Sequence, residues 1–189
     1  MLETLKLFRF SNFNYRYPRF ISLGLTNQQA IYNELKTKSP TLIEIISFCL
    51  MPTHIHLILK QMSDNGISKY LSRVLNSYAR YFNTKHKRVG PLWAGRFKNV
   101  LISNDEQLLH LTRYIHLNPT SANLVRKPED WPYSSYREFI GASNKNHICS
   151  FENILNLDIK EYENFVLNRQ SYQKEISKIK RIILDEYTG

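Results

Sequence analysis

The stretch L-I-E-I-I-S-F-C-L-M-P-T-H-I-H-L-I-L, residues 42–59, decides how this chain folds. Two apolar runs, Leu42–Leu50 and the run from His54 onward, flank the break Met51, Pro52, Thr53. So short a proline-containing connection favours antiparallel neighbours. Side chains of a strand alternate, so His54 and His56 share one side while Ile55, Leu57 and Leu59 point the other way, into a core. Both imidazoles can therefore face one cation. Taken alone, the pair reads equally well as two surface histidines on an edge strand.

A second constellation follows on a helix. Ser103 and Glu106 have capping-box spacing, and Leu108, Leu111 and Ile115 recur at helical intervals. Pro119 disfavours helical geometry at Asn118, so the helix is expected to end there. Tyr114 and Asn118 then lie one turn apart on one face, and His110, a turn earlier, completes a polar stripe. On its own this helix reads more simply as a core tyrosine with its hydroxyl capped and an asparagine that ends the helix.

With both halves in view, the sequence resembles the single-tyrosine HUH transposases (His, hydrophobic, His) of the IS200-like family, especially the REP-associated tyrosine transposases of bacteria. The resemblance runs from about Leu42 to Phe139 through four ordered blocks: C-L-M-P-T-H-I-H-L-I-L, N-S-Y-A-R-Y-F-N-T-K-H-K-R-V-G-P-L-W-A-G-R-F-K, Y-I-H-L-N-P and W-P-Y-S-S-Y. It implies that His54 and His56 are metal ligands, that Asn118 is the third protein ligand and that Tyr114 is the nucleophile, with His110 as an accessory candidate. It implies a single-stranded DNA nickase and strand transferase acting on hairpin or repeat DNA. The implied fold is α+β, a ferredoxin-like antiparallel sheet with helices on one face. In the family the tyrosine helix often comes from a dimer partner, and the sequence leaves open a homodimer and a donation in cis or in trans.

The chemistry explains these residue types. A phenol with a pKa near ~10 is mostly protonated at neutral pH and attacks phosphorus poorly unless its surroundings favour the phenolate. Mg²⁺ or Mn²⁺, held by two neutral imidazoles and an amide oxygen, would keep open positions for phosphate oxygens. Imidazole is the more natural ligand for Mn²⁺. A 5′-phosphotyrosine retains the energy of the broken phosphodiester, so rejoining needs no nucleotide cofactor, and no Gly-rich phosphate loop is present. Two rival readings remain: a hairpin-binding relative that no longer cuts, and a metal-dependent phosphoesterase that uses activated water and ignores Tyr114.

Composition agrees. The chain has 189 residues, 42% of them hydrophobic, enough for one domain plus an appendage, here a catalytic domain over 1–141 and a C-terminal helical extension over 142–189. Twenty-six lysines and arginines against 16 acidic residues give a net charge of +10, which favours a polyanionic partner. No apolar run approaches the ~20 residues of a membrane span, and the first residues lack an apolar signal core, so a cytoplasmic protein without membrane contact is expected. Cys49 and Cys149, outside any C-x-x-C spacing, read as free thiols.

Around the site, Leu5–Phe10 suggests a first strand and 27–38 a helix capped by Thr26. A long helix over Ile67–Asn83 has an apolar face of Ile67, Tyr70, Leu71, Val74, Leu75, Tyr78 and Phe82 opposite Lys69, Arg73, Asn76, Arg80 and Asn83. Behind it, cations and aromatics interleave, and Arg80, Arg88, Arg96 and Lys98 are the candidates for DNA contact, although any single arginine is equally a solvated one. Arg96–Ile102 reads as a further strand, and helices are expected near Ile159–Leu167 and Tyr172–Tyr187. One departure stands out: family members commonly open with a strand resembling aromatic-His-Val-x-x-Arg-Gly, and nothing before Leu25 matches it.

Overall fold

The hairpin forms where the two apolar runs place it, although in the second run the buried residue is Ile58, on the side of His56, and Ile55, Leu57 and Leu59 are only half-buried. In the computed structural model, which describes residues 1–143, 147–152, 154–155 and 158–168, β1 (Ile43–Leu50) and β2 (Ile55–Gln61) make a two-stranded antiparallel sheet. The turn is closed by the Met51 amide donating to the His54 carbonyl, 2.9 Å. β1 is buried on both faces apart from Glu44 and Leu50, which is why it reads as a nearly unbroken apolar run. The α+β class with an antiparallel sheet and helices beyond it stands. No helix among the described residues is long and apolar enough to cross a membrane.

The chain divides into two compact units, Met1–Glu44 with Leu59–Phe97, and Ile45–Ile58 with Lys98–Gly189. In the first, the helix α1 (Leu2–Phe8), the short α2 (Tyr17–Ile21) and α3 (Leu25–Lys38) accompany the long α4 (Gly66–Lys85). The expected strand Leu5–Phe10 is thus a correction. Its alternation fits a strand over six residues, but Leu5 and Phe8 at helical spacing both bury, and the Tyr70 hydroxyl donates to the Leu5 carbonyl at 3.1 Å. Only Phe10 pairs in extended form, through a single antiparallel bridge to Thr41. Arg73 turns inward from α4 and donates to the carbonyls of Phe10, Ser11 and Phe13, so one guanidinium holds a segment that has no ladder of its own. The helix over 27–38 begins two residues earlier, with Gly24 rather than Thr26 as its cap.

Gly66 opens α4 against β1's approach. A Cβ there would stand 2.1 Å from the Leu42 carbonyl oxygen and 3.1 Å from its carbon, and backbone cannot yield as a flexible side chain does. Gly66→Ala is expected to cost about 2–3 kcal/mol, read as a lower denaturation midpoint. Gly95→Ala, with nothing within 4 Å, should change stability by less than about 0.5 kcal/mol.

The second unit gathers the rest of the hairpin with α5 (Asp105–Ser121), a 3₁₀ turn (Pro128–Asp130), α6 (Tyr136–Phe139) and α7 (Ile159–Leu167). The outer edge of β1 is covered piecemeal: Leu50 N donates to Tyr133 O, Ser135 N to Phe48 O and Ser150 N to Ile45 O. Such short pairings satisfy backbone groups without a third strand. Arg96–Ile102, expected as a strand, has no ladder partner among the described residues and is irregular. α5 starts one residue later than expected, with Asn104 accepting from Gln107 N and the Gln107 side chain accepting from Ser103 N, each at 2.8 Å. Nor does it stop at Asn118. Pro119 sits inside the helix, where its ring nitrogen cannot donate to the preceding turn, and Ala122 N still donates to Asn118 O beyond it. The helix expected over Tyr172–Tyr187 lies outside the described residues. Cys49 and Cys149 are both buried and form no disulfide.

His116 ties this unit together. Wholly buried, it places Nδ1 2.7 Å from the Tyr162 hydroxyl and Nε2 2.8 Å from Ser135 Oγ and 3.2 Å from Ser47 Oγ. Burial drives its pKa from 6.5 to about 3, so the imidazole is neutral, donating at one nitrogen and accepting at the other. Because the folded pKa lies below the unfolded one, the unfolded chain takes up the proton first. The stability His116 contributes is complete above about pH 6.5 and falls as pH drops toward 3, by up to about 2 kcal/mol at pH 5. His116→Leu orphans the Tyr162 contact and should cost about 3 kcal/mol, lowering Tm by roughly 6–12 °C. It should also flatten the acid limb of a Tm-against-pH series; an unchanged limb would contradict the assignment.

Candidate active site at the histidine turn

The site residues all belong to the second unit. His54 lies in the turn, just before β2, and His56 is the second residue of the strand. Their rings meet edge to face with centroids 4.7 Å apart, and the two Nε2 atoms are 3.0 Å apart. Two protonated rings could not share that space, and two lone pairs aimed at one point would repel unless something positive lay between them. Burial, and then the neighbouring His54, hold the His56 pKa down at about 4, so His56 is neutral at physiological pH. Thr53 Oγ1 lies 3.1 Å from His54 Nδ1. A proton on Nδ1 donated to that hydroxyl leaves the Nε2 lone pair free to bind.

Tyr114 reaches the same place from α5, its ring centroid 5.7 Å from that of His56 with the planes nearly perpendicular. One turn later the Asn118 amide nitrogen donates to the Tyr114 carbonyl at 2.8 Å. Burial raises the Tyr114 phenol above its usual pKa of 10.0, and a hydrogen bond from the Asn118 side chain opposes that rise. The phenol is therefore protonated at neutral pH and needs added positive charge to become a nucleophile.

The other candidates are placed differently. His110 points to α7: its Nδ1 is 3.2 Å from Arg113 Nη2, its ring is 5.4 Å from that of Phe165, and Nε2 is 3.8 Å from Glu106. Lys98 belongs to the second unit, whereas Arg80, Arg88 and Arg96 belong to the first. Arg88 reaches the Asn83 side chain and the Pro91 carbonyl, 3.5 and 3.3 Å away, and so braces its own loop. Trp93 donates to the Leu75 carbonyl and packs on Tyr78, a structural role for one of the interleaved aromatics. Thr53 and His116 went unremarked in the sequence. Thr53 is signalled only by directly preceding His54, and the partners of His116 are 19 to 69 residues distant in the chain.

The donor chemistry suits a divalent cation. Two ligands at right angles, each ~2.1 Å from an octahedral ion, stand roughly 3.0 Å apart. The Nε2 atoms have that separation. Among the described residues no group of three or more His, Cys, Asp or Glu side chains could hold a metal, and the donor pair the geometry brings together is the two imidazoles. Having no carboxylate, it would leave the ion's charge for phosphate oxygens.

A family profile described as "Transposase IS200 like" matches residues 12–118, more than half of the chain. The chain belongs to the IS200-like transposase family. The match opens some thirty residues before Leu42, within the aromatic N-terminal segment, and includes His54, His56, Tyr114 and, as its last residue, Asn118. A candidate REP-associated tyrosine transposase of Haemophilus influenzae is 31% identical over 110 residues, 52% of this chain and 62% of the relative. The chain thus spans less than two thirds of that relative's length. A REP-associated tyrosine transposase of Escherichia coli K12 is 25% identical over 128 residues, 67% of this chain and 74% of the relative. No solved structure matches the chain.

If Thr53 fixes the His54 tautomer, Thr53→Val should weaken Mn²⁺ affinity about 10-fold with little change in fold, measured by titrating the metal requirement of DNA cleavage. An unaltered requirement would remove Thr53 from the site.

Proposed function

We propose that this chain cuts single-stranded hairpin or repeat DNA with Tyr114 and transfers the cut end, with Mg²⁺ or Mn²⁺ as cofactor. The observation that carries the reading is the convergence of His54 Nε2, His56 Nε2 and the Tyr114 ring at one end of the hairpin. The bound cation would supply the positive charge that favours the phenolate and offsets charge growing on the phosphate oxygens. His56 holds its neutral form, Thr53 sets the orientation of His54, and Asn118 fixes the Tyr114 turn of α5 while donating toward its phenol. In the chemical step the Tyr114 Oη–P bond forms and the P–O3′ bond breaks. The phenolic proton is lost through solvent and the departing 3′ oxygen takes one up. A free 3′-hydroxyl and a 5′-phosphotyrosine result, and the reverse attack by another 3′-hydroxyl regenerates the tyrosine without a nucleotide. A homodimer would be compatible with this reading.

Hairpin DNA labelled separately at its 5′ and 3′ ends and incubated with Mn²⁺ or EDTA tests the reading on a denaturing gel. The expected result is a protein adduct bearing only the 3′ label, absent in EDTA. Metal-dependent cleavage that leaves both products free of protein would point instead to activated water.

A further inference from the structure

In the first unit, residues 12–19 and one face of α4 line an open groove. Its rim carries Arg16, Arg19, Arg80 and Lys85, all exposed, and no aspartate or glutamate lines it. Among the described residues none of the four is in an ion pair; Lys85 lies over the Tyr81 ring, 5.8 Å from its centroid. Four uncompensated cations in one groove repel one another and raise the local potential, a cost relieved by a polyanion lying along them. Within the groove Tyr15 is 42% exposed although its ring packs on those of Phe13 and Phe20, at 5.8 and 6.4 Å between centroids. A ring fixed by its core neighbours and still open to solvent gives an unpaired base a stacking surface at little entropic cost. A double helix would offer no such base.

We propose that this groove binds a single-stranded DNA segment, its phosphates along Arg16, Arg19, Arg80 and Lys85 and one base stacked on Tyr15. The strand is DNA because the groove belongs to a chain proposed to transfer DNA ends, and in that respect the proposal rests on that reading. The groove supplies grip, and the residues of the histidine turn supply chemistry.

The test is equilibrium binding of a fluorescent oligothymidylate, about 20 nucleotides long to exceed one binding site, by the full chain in EDTA across a salt series. It requires no cleavage, so failure of the nuclease reading would leave it interpretable. The quadruple variant Arg16→Ala, Arg19→Ala, Arg80→Ala, Lys85→Ala should lower the slope of log K against log salt by about 3, since each phosphate contact on a single strand contributes ~0.7. Tyr15→Ala should weaken binding about 5- to 100-fold, as loss of one stacked base does, and Tyr15→Phe should restore it. A control lacking Lys36, Lys38, Lys69 and Lys127, exposed cations that do not line the groove, should keep the wild-type slope. Thermal melts establish that each variant is folded. A folded quadruple variant with the wild-type slope, a control that loses as much as the quadruple variant, or a Tyr15→Ala variant of unchanged affinity would overturn the proposal.

Discussion

Tyr114→Phe is expected to abolish the covalent protein–DNA adduct and to reduce cleavage at least about 10⁴-fold, since no other side chain takes over when the attacking atom itself is removed. The ring stays, and with it the edge-to-face contact to His56 at 5.7 Å. Only the hydroxyl and its hydrogen bond to Asn118 are lost, so stability should change by less than about 1 kcal/mol. DNA binding in EDTA should be unaltered. That combination separates a nucleophile from a packing residue: a tyrosine needed only for the fold would move Tm and binding along with activity. Retention of cleavage with products free of protein would place the reaction in the activated-water class.

The second large effect concerns the histidine pair. His54→Ala should lower metal-dependent cleavage about 10³-fold, corresponding to several kcal/mol of charge stabilisation in the transition state. Because His54 is exposed, the substitution should leave stability within about 0.5 kcal/mol of wild type. His56→Ala should show the same loss of activity together with a modest loss of stability, since His56 is half-buried in β2. Single-turnover cleavage followed over a Mn²⁺ titration gives the measurement. If both variants cut at the wild-type rate, the 3.0 Å approach of the two Nε2 atoms is an accident of packing and the cation does not sit there.

The parts of the molecule that were legible in the sequence are those with local causes. The β1–β2 hairpin follows from two apolar runs around Met51, Pro52 and Thr53, and the convergence of His54 and His56 from strand alternation. The pairing of Tyr114 with Asn118 follows from the helical repeat. What escaped depends on contacts made elsewhere. Leu5–Phe10 satisfies both the strand and the helix period over six residues, and burial of the Tyr70 hydroxyl against the Leu5 carbonyl decides for helix. Arg96–Ile102 has strand-like composition but no partner to pair with among the described residues. The two-stranded sheet is flanked by an isolated bridge at Ser134 and by lone backbone hydrogen bonds from residues 133, 135 and 150, which no periodicity announces. Pro119 looked like a terminus because a proline disfavours the helical geometry of the residue before it, yet α5 runs past it to Ser121, with Ala122 N still donating to Asn118 O. Arg73 and Arg80, on the same polar stripe of α4, both line the groove, but Arg73 is spent on three carbonyls of the N-terminal segment whereas Arg80 stays exposed. Sequence spacing puts both on one face; only the packing distinguishes their work.

Peptide mapping of the trapped adduct tests the central claim most directly. After reaction with hairpin DNA in Mn²⁺, nuclease trimming and proteolysis, the account predicts a residual nucleotide joined through a 5′-phosphate to Tyr114, in the peptide that contains Y-I-H-L-N-P. A nucleotide attached to any other residue, or no attached nucleotide in a preparation that has cut its DNA, would contradict it.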